Sequence, residues 1–481
     1  MKKVILVLFS IIFLTGCGSN ATPSSDNETV TMNSNATLNL YSYNPDTLNP
    51  IKTKNQANAG ILNLVYEPLF YVDENYNLIN CLADSWTALS DGKTYNVYIK
   101  DNVEFQNGSR LIPEDVIYSL NLAKQYDRFC LGNINSIKKI SPYGIEIKLN
   151  KSEAGFARNL EVPIIKANSD SSNGTGMYRI KEKNNKDMTL QVNNNYWGEK
   201  PKINNIKVKF QPDAQSAFFA FFSGEIDVAT VDIKDLPEIR NTQKGVLKTI
   251  PTSNFTYFSL HPKRFANKNI RKALAYAIDK EGIGNTIYAN LITATETFIN
   301  SSYNFYSAES EYKYNLEDAR VFLGENKVKP FTILINKKNA LRMSVATKIV
   351  NNIRELGIDV NLLAVSNKEY KERINTGNYD SYIGEISLSN SCDLTEIFSI
   401  TKANKNSKLK KEIDESKRQK SYFAQESTFH FLQKEYQDEL PFISLFYQKT
   451  AVIYSNRIKT KKITPIPHNI YYGIENWEIG E

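Results

Sequence analysis

A chain of 481 residues, 41% of them apolar and 23% charged, is too long for a single hydrophobic core, so two or three lobes are expected. Its formal charge of +7 is spread thinly, the densest run being only Lys459 to Lys462, which argues against nucleic acid as a partner and fits a mildly basic surface facing anionic lipid or wall polymer. Four cysteines and three histidines lie far apart in sequence and no phosphate-cradling Gly-rich loop is present, so zinc sites and histidine triads are poorly supplied, and neither a metal, a cofactor nor a catalytic group is expected.

At the N-terminus, Lys2 and Lys3 precede an apolar run from Val4 to Leu14 and small residues at Gly16, Cys17 and Gly18. That is the anatomy of a secretory signal; as a helix the run rises only about 16 Å, too short to span a bilayer. Residues 1–16 are expected to be removed and 17–37, a polar Ser/Asn/Thr stretch, to be a disordered tether. If Cys17 leaves the count, Cys81, Cys130 and Cys392 remain, an odd number allowing at most one disulfide.

Alternation predicts a strand over Leu38–Tyr43, followed by turns at Asn44 to Asp46 and Asn49-Pro50 and an apolar helical stretch over Ile61–Tyr66. A strand through Tyr95 and Ile99 lies between turns at Asp91-Gly92 and Asn107-Gly108. Pro113 opens a helix whose first turn carries Glu114 and Asp115 and whose buried face holds Val116, Leu120 and Ala123. Apolar residues at helical spacing recur from Ile270 to Ile278, closing at Asp279-Lys280, and again from Val345 to Leu356; Gly357 stops the latter before a strand over Ile358–Leu363. Such units give a mixed α/β chain without internal repeats.

Two resemblances follow from these stretches. Leu14 to Cys17 (LTGC) is similar to the bacterial lipobox, which implies that Cys17 carries the lipid and holds the body at the outer face of the bacterial cytoplasmic membrane. Val65–Phe70 (VYEPLF), Leu82–Trp86 (LADSW), Ser90–Tyr95 (SDGKTY), Phe105–Gly108 (FQNG) and Glu114–Leu120 (EDVIYSL) resemble, in order and spacing, the N-terminal signature of the extracellular solute-binding proteins of peptide and nickel ABC importers. Gly174–Tyr178 (GTGMY), Asn195–Pro201 (NYWGEKP), Ser223–Asp227 (SGEID), Ile270–Asp279, Leu356–Val360 (LGIDV) and Gly377–Asp380 (GNYD) continue it.

The resemblance implies an α/β, three-lobed clam of the periplasmic-binding-protein type (type II, peptide-binding class). Lobe I would comprise 38–66, 172–258 and 451–481, lobe II 67–171 and lobe III 259–450, with a hinge closing the cleft between I and III. It implies a monomer that captures a peptide-like or chelate-like small solute and hands it to an ABC permease and its ATPase. A peptide-pheromone or nutrient sensor on the same fold is the alternative, and nothing orients the surface acids as a hydrolase would need.

Three stretches match cleft-lining segments of that family. The first contributes Asn55, Gln56 and Asn58; the second, at the lobe crossing, Asn254, Thr256 and, on the opposite strand face, Tyr257. The third follows Tyr382 and runs through Ser389, Asn390 and Asp393. There the aspartate that receives a peptide's ammonium in relatives is replaced by Asn390 or displaced to Asp393, and basic partners of a peptide carboxylate are absent at Ile374 and Ile383. Cys392 reads as a small buried residue rather than a ligand-facing thiol.

Overall fold

A computed structural model of the chain describes residues 36–169, 173–307, 312–391, 393–403, 407–419 and 422–480. The expected signal segment, Cys17 with nearly all of the tether, and Cys392 lie outside the described residues.

The alternating segment Thr37–Tyr43 forms a strand and pairs in parallel with Asn205–Gln211, at one edge of a four-stranded sheet completed by Asp187–Val192 and Tyr178–Lys183. The stretch expected to be helical over 61–66 is shifted: the helix is Gln56–Leu62, because Asn55 caps it by accepting a hydrogen bond from the Asn58 amide. A second four-stranded antiparallel sheet is built from Ala83–Ala88, Thr94–Ile99, Gly144–Leu149 and Ile134–Ser141. Helix Pro113–Ala123 packs against it, with proline at its first position and the Asp115 carboxylate accepting from the Ile112 amide.

The largest sheet has seven strands. Its order is Val228–Val231, Phe442–Ser455, Gly245–Leu260, Ser381–Ser387, Phe331–Asn336 and Val360–Val365, with Ile292–Ala294 also paired to Phe442–Ser455. Phe331–Asn336 runs parallel to both neighbours, and helix Ala340–Arg354 links it to Val360–Val365; Gly357 at φ +77° allows the chain to leave that helix. The helix expected to close at Asp279-Lys280 ends at Ala277, and Asp279 instead caps a new one, Lys280–Ile287, by accepting from the Gly282 amide at 2.7 Å.

Two unusually long strands tie the molecule together. Gly245–Leu260 and Phe442–Ser455 pair antiparallel, but their register breaks between Pro251 and Phe255. Core membership changes at the same place. Ile250, Val452 and Tyr454 belong to a core that runs continuously through both four-stranded sheets, whereas Phe255, Tyr257, Phe258, Phe446 and Tyr447 belong to another core, built on residues from 255 onward apart from Val72 and Tyr76. Segments 38–66 and 67–171 therefore share one continuous apolar interior, and the described molecule consists of two large bodies joined through the crossing strands, with a smaller third apolar cluster around Tyr41, Phe218, Phe221 and Ile453 packed against those strands.

Three of the scattered sequence motifs meet at one buried carboxylate inside the first body. Tyr196 Oη donates to Glu67 Oε1 at 2.6 Å, while Trp197 Nε1 and Thr175 Oγ1 donate to Glu67 Oε2 at 2.9 and 2.8 Å. Glycine at 174 is required beside it, because a Cβ there would lie 1.8 Å from the Val65 carbonyl oxygen. VYEPLF, GTGMY and NYWGEKP are thus one hydrogen-bonded node. Burial pushes the Glu67 carboxyl above its ordinary range, with the three donors pulling it back.

Candidate functional site

Between the end of strand Ser381–Ser387 and helix Thr395–Ile400, the second body presents the segment containing Ser389, Asn390, Ser391 and Asp393. Asp393 Oδ1 accepts from the Thr395 amide at 2.9 Å and from the Thr395 hydroxyl, and Lys417 Nζ lies 3.6 Å away. Its carboxylate is therefore engaged in starting the helix and in an ion pair. Ser389 Oγ is 2.9 Å from Ser391 Oγ and accepts from the Asp393 amide at 3.2 Å, which fixes the turn.

Against this segment stands the stretch Glu153 to Glu161 of the first body. The Ser391 amide donates to Asn159 Oδ1 at 3.2 Å, and Asn159 and Asn133 donate to the two oxygens of Glu153 at 3.1 and 2.8 Å. Burial raises the Glu153 carboxyl, opposed by those hydrogen bonds. Arg158 donates to the Tyr76 carbonyl at 2.9 Å and its guanidinium lies 5.4 Å from the Phe305 ring centroid. Tyr76 stacks on Tyr303 at 4.0 Å, and Asn304 donates to Asn77 at 2.8 Å. The two bodies are in contact here, and Val72 and Tyr76 complete the apolar core of the second body.

A cavity of about 410 Å³ lies along this contact. Its polar walls include Asn133 and Glu153 from one side and Asp393, Thr395 and Lys417 from the other, with Phe429 as the large apolar contribution. On the adjoining face of the same segment, Asn390 turns away from that cavity toward Glu161, and its Nδ2 donates to Glu161 Oε2 at 3.4 Å. His468 Nδ1, from the C-terminal segment, lies 2.9 Å from the same oxygen. Partial withdrawal of the ring from water disfavours its charged form, but the charge and hydrogen bond of Glu161 outweigh that and raise the imidazole above its ordinary 6.5. The Glu161 side chain is 11% exposed and its Oε1 is buried without a hydrogen-bond partner.

The other expected ligand residues are placed differently. Asn55 is a helix cap, Gln56 is exposed on the first turn, and Asn58 is buried with its Nδ2 donating to the Thr47 carbonyl, Thr53 Oγ1 and Asp46 Oδ1 at 2.7, 3.1 and 3.2 Å. That loop is held from the other side by Arg128, which donates to the carbonyls of Pro50, Ile51 and Thr53. Asn254 is half-buried at the register break, its amide donating to Thr252 Oγ1 at 3.2 Å.

Thr256, Tyr257 and Tyr382 lie in the interior. Exposure does not distinguish the two faces of this strand, because every residue from Phe255 to Leu260 is buried: the strand is interior to the large sheet and covered on both faces. Tyr257 packs on Phe255, Phe442 and Tyr382, and burial pushes its hydroxyl up to about 12. A Cβ on Gly384 would sit 2.3 Å from the Tyr257 ring, so glycine there makes room for the tyrosine.

Glu161, Glu153, Arg158, Tyr303 and His468 were not singled out by the sequence reading. The available signal was a lone acid between apolar neighbours in Leu160-Glu161-Val162, a pattern that in an exposed strand would mean nothing. Among the described residues no group of three or more His, Cys, Asp or Glu could hold a metal ion, Cys81 and Cys130 are free thiols, and no helix is long and apolar enough to cross a membrane.

Two cored bodies on a pair of crossing strands, with polar side chains meeting between them, define a clam-like binding protein. Residues 77–407 match the family of bacterial extracellular solute-binding proteins, family 5, and the chain belongs to that family. It is 25% identical to the oligopeptide-binding protein AppA of Bacillus subtilis over 99% of this chain and 98% of that one. It is 26% identical to the nickel-binding protein NikA of Staphylococcus aureus over 76% and 75% of the two chains. Among solved structures, the unliganded open form of the periplasmic murein tripeptide-binding protein MppA matches with a TM-score of 0.83 at 18% identity, covering 94% of this chain and 98% of that chain. The protein is a substrate-binding component of an ABC importer.

Proposed function

We infer that this receptor is a monomer, lipid-anchored through Cys17, which captures a peptide-like or chelate-like solute between its two bodies and delivers it on closure. The observation that carries the reading is the break in the Gly245–Leu260 and Phe442–Ser455 ladder at the point where the core changes. A ladder whose regular pairing is interrupted between Pro251 and Phe255 bends at lower cost than an unbroken one while each core stays rigid. Relatives named for oligopeptides and for nickel support cargo of either kind, and the polar side chains at the contact suit both. The lipid leash supported by LTGC would raise the receptor's effective concentration at the permease.

The test is mass spectrometry of the small molecule that stays bound through gentle purification, followed by calorimetry with that compound. A peptide or an organic chelate is the expected finding; a polysaccharide or a lipid would overturn the cargo class. For attachment, the wild type should partition with membranes and Cys17→Ala should be released or remain uncleaved. Wild-type protein free in the medium with an unmodified N-terminus would refute the anchor.

A further inference from the structure

Resting on the reading above, we propose that Glu161, supplied by the first body, is the carboxylate that anchors a cationic group of the cargo, in place of the residue at 390. Asn390 occupies the position where the sequence resemblance expects an acid, and an amide cannot neutralise an ammonium. The structure brings a carboxylate to the same spot from the opposite wall, since Asn390 Nδ2 is 3.4 Å from Glu161 Oε2. Asp393, the other candidate, is engaged by Thr395 and Lys417.

Glu161 is also left incomplete. A carboxylate has room for about four hydrogen bonds, and one withdrawn from water is costly unless they are supplied. Here only Oε2 is used, by Asn390 of the second body and His468 of the C-terminal segment, and Oε1 is buried with no partner. His468 is its one ion-pair partner among the described residues, and that ring is 58% exposed. Separation of the bodies removes Asn390 from Oε2, so a cation entering the open cleft meets a carboxylate with an unfilled oxygen. Closure then returns Asn390, whose Oδ1 can accept from the same ammonium. Recognition of the charge is thereby tied to the closed state, because the anchor and its amide lie on different bodies.

Calorimetry with tri-alanine and N-acetyl-tri-alanine tests this in the full chain. Wild type should prefer the free amine, and Glu161→Gln, which keeps the side chain's shape, should lower free-amine affinity by about a hundredfold or more while leaving the acetylated form nearly unchanged. His468→Ala should preserve or increase the preference, since a competing donor is gone; a mere latch between Glu161 and His468 would lose affinity for both forms alike. Preference for the amine that survives Glu161→Gln overturns the anchor while the receptor reading stands. Equal binding, or no binding, of the two forms by wild type also overturns it, and the receptor reading is then judged separately on the co-purified ligand.

Discussion

Glu67 and Glu161 are both carboxylates withdrawn from water, and their partners separate their roles. Glu67 has both oxygens filled by Tyr196, Trp197 and Thr175 within one body, so it holds structure. Glu67→Ala leaves three donors without an acceptor and should cost about 3 kcal/mol or more in urea unfolding, whereas Glu67→Gln should cost clearly less, since burial already favours the neutral acid. Asp393 belongs to local structure as well: Asp393→Ala should lower stability by about 1 kcal/mol through loss of the side-chain bond to the Thr395 amide that leads into the helix, and leave the ratio of tri-alanine to N-acetyl-tri-alanine affinity unchanged. A change in that ratio would return the anchoring role to Asp393. These assignments depend on where side chains end. In the sequence Glu67 is one letter of a motif and Glu161 an unremarked acid, and nothing in their neighbours says that one will have three donors and the other an empty oxygen.

At the scale of elements, closure depends on how near two backbones can come. Gly155 packs against the Ser391 backbone so closely that a Cβ would lie 2.6 Å from its carbonyl oxygen. Because φ at Gly155 is −89°, alanine fits the local backbone, and Gly155→Ala should fold normally but hold the bodies apart. Its expected signature is a larger radius of gyration in scattering with weaker ligand binding and an unchanged unfolding midpoint without ligand; wild-type affinity would show that this approach is not needed. The His468 contact with Glu161 adds a pH dependence. A folded imidazole raised above 6.5 contributes fully below that value, and the contribution is lost as pH rises through the folded value. The chain should therefore resist urea better at pH about 5.5 than His468→Ala does, and that advantage of the wild type should shrink as the pH is raised to about 8. Helix starts such as Pro113 and the stop at Gly357 were legible because capping is local. The alternation through Asn254 to Phe258 carries no exposure signal, because an interior strand of a large sheet has no solvent face to mark.

For the whole molecule, two cores on two crossing strands make binding and stability one measurement. A ligand that bridges both bodies should raise unfolding stability by about 2.7 kcal/mol at a hundredfold excess over its dissociation constant. A bound compound that leaves both melting temperature and scattering unchanged would contradict closure. Fold class was readable from the sequence because it rests on repeated local signals: turns, caps and apolar spacing that recur in the same order along most of the chain. The family motifs were equally readable, but not their purpose, since VYEPLF, GTGMY and NYWGEKP become a single node only when Glu67, Thr175 and Tyr196 are folded together. Likewise the change at Asn390 was visible in the sequence as a missing charge, and only the tertiary structure decided that Glu161 stands opposite it. Hydrogen bonding and burial at a cleft are set by residues from different bodies meeting in space, and that distance is not written in their separation along the chain.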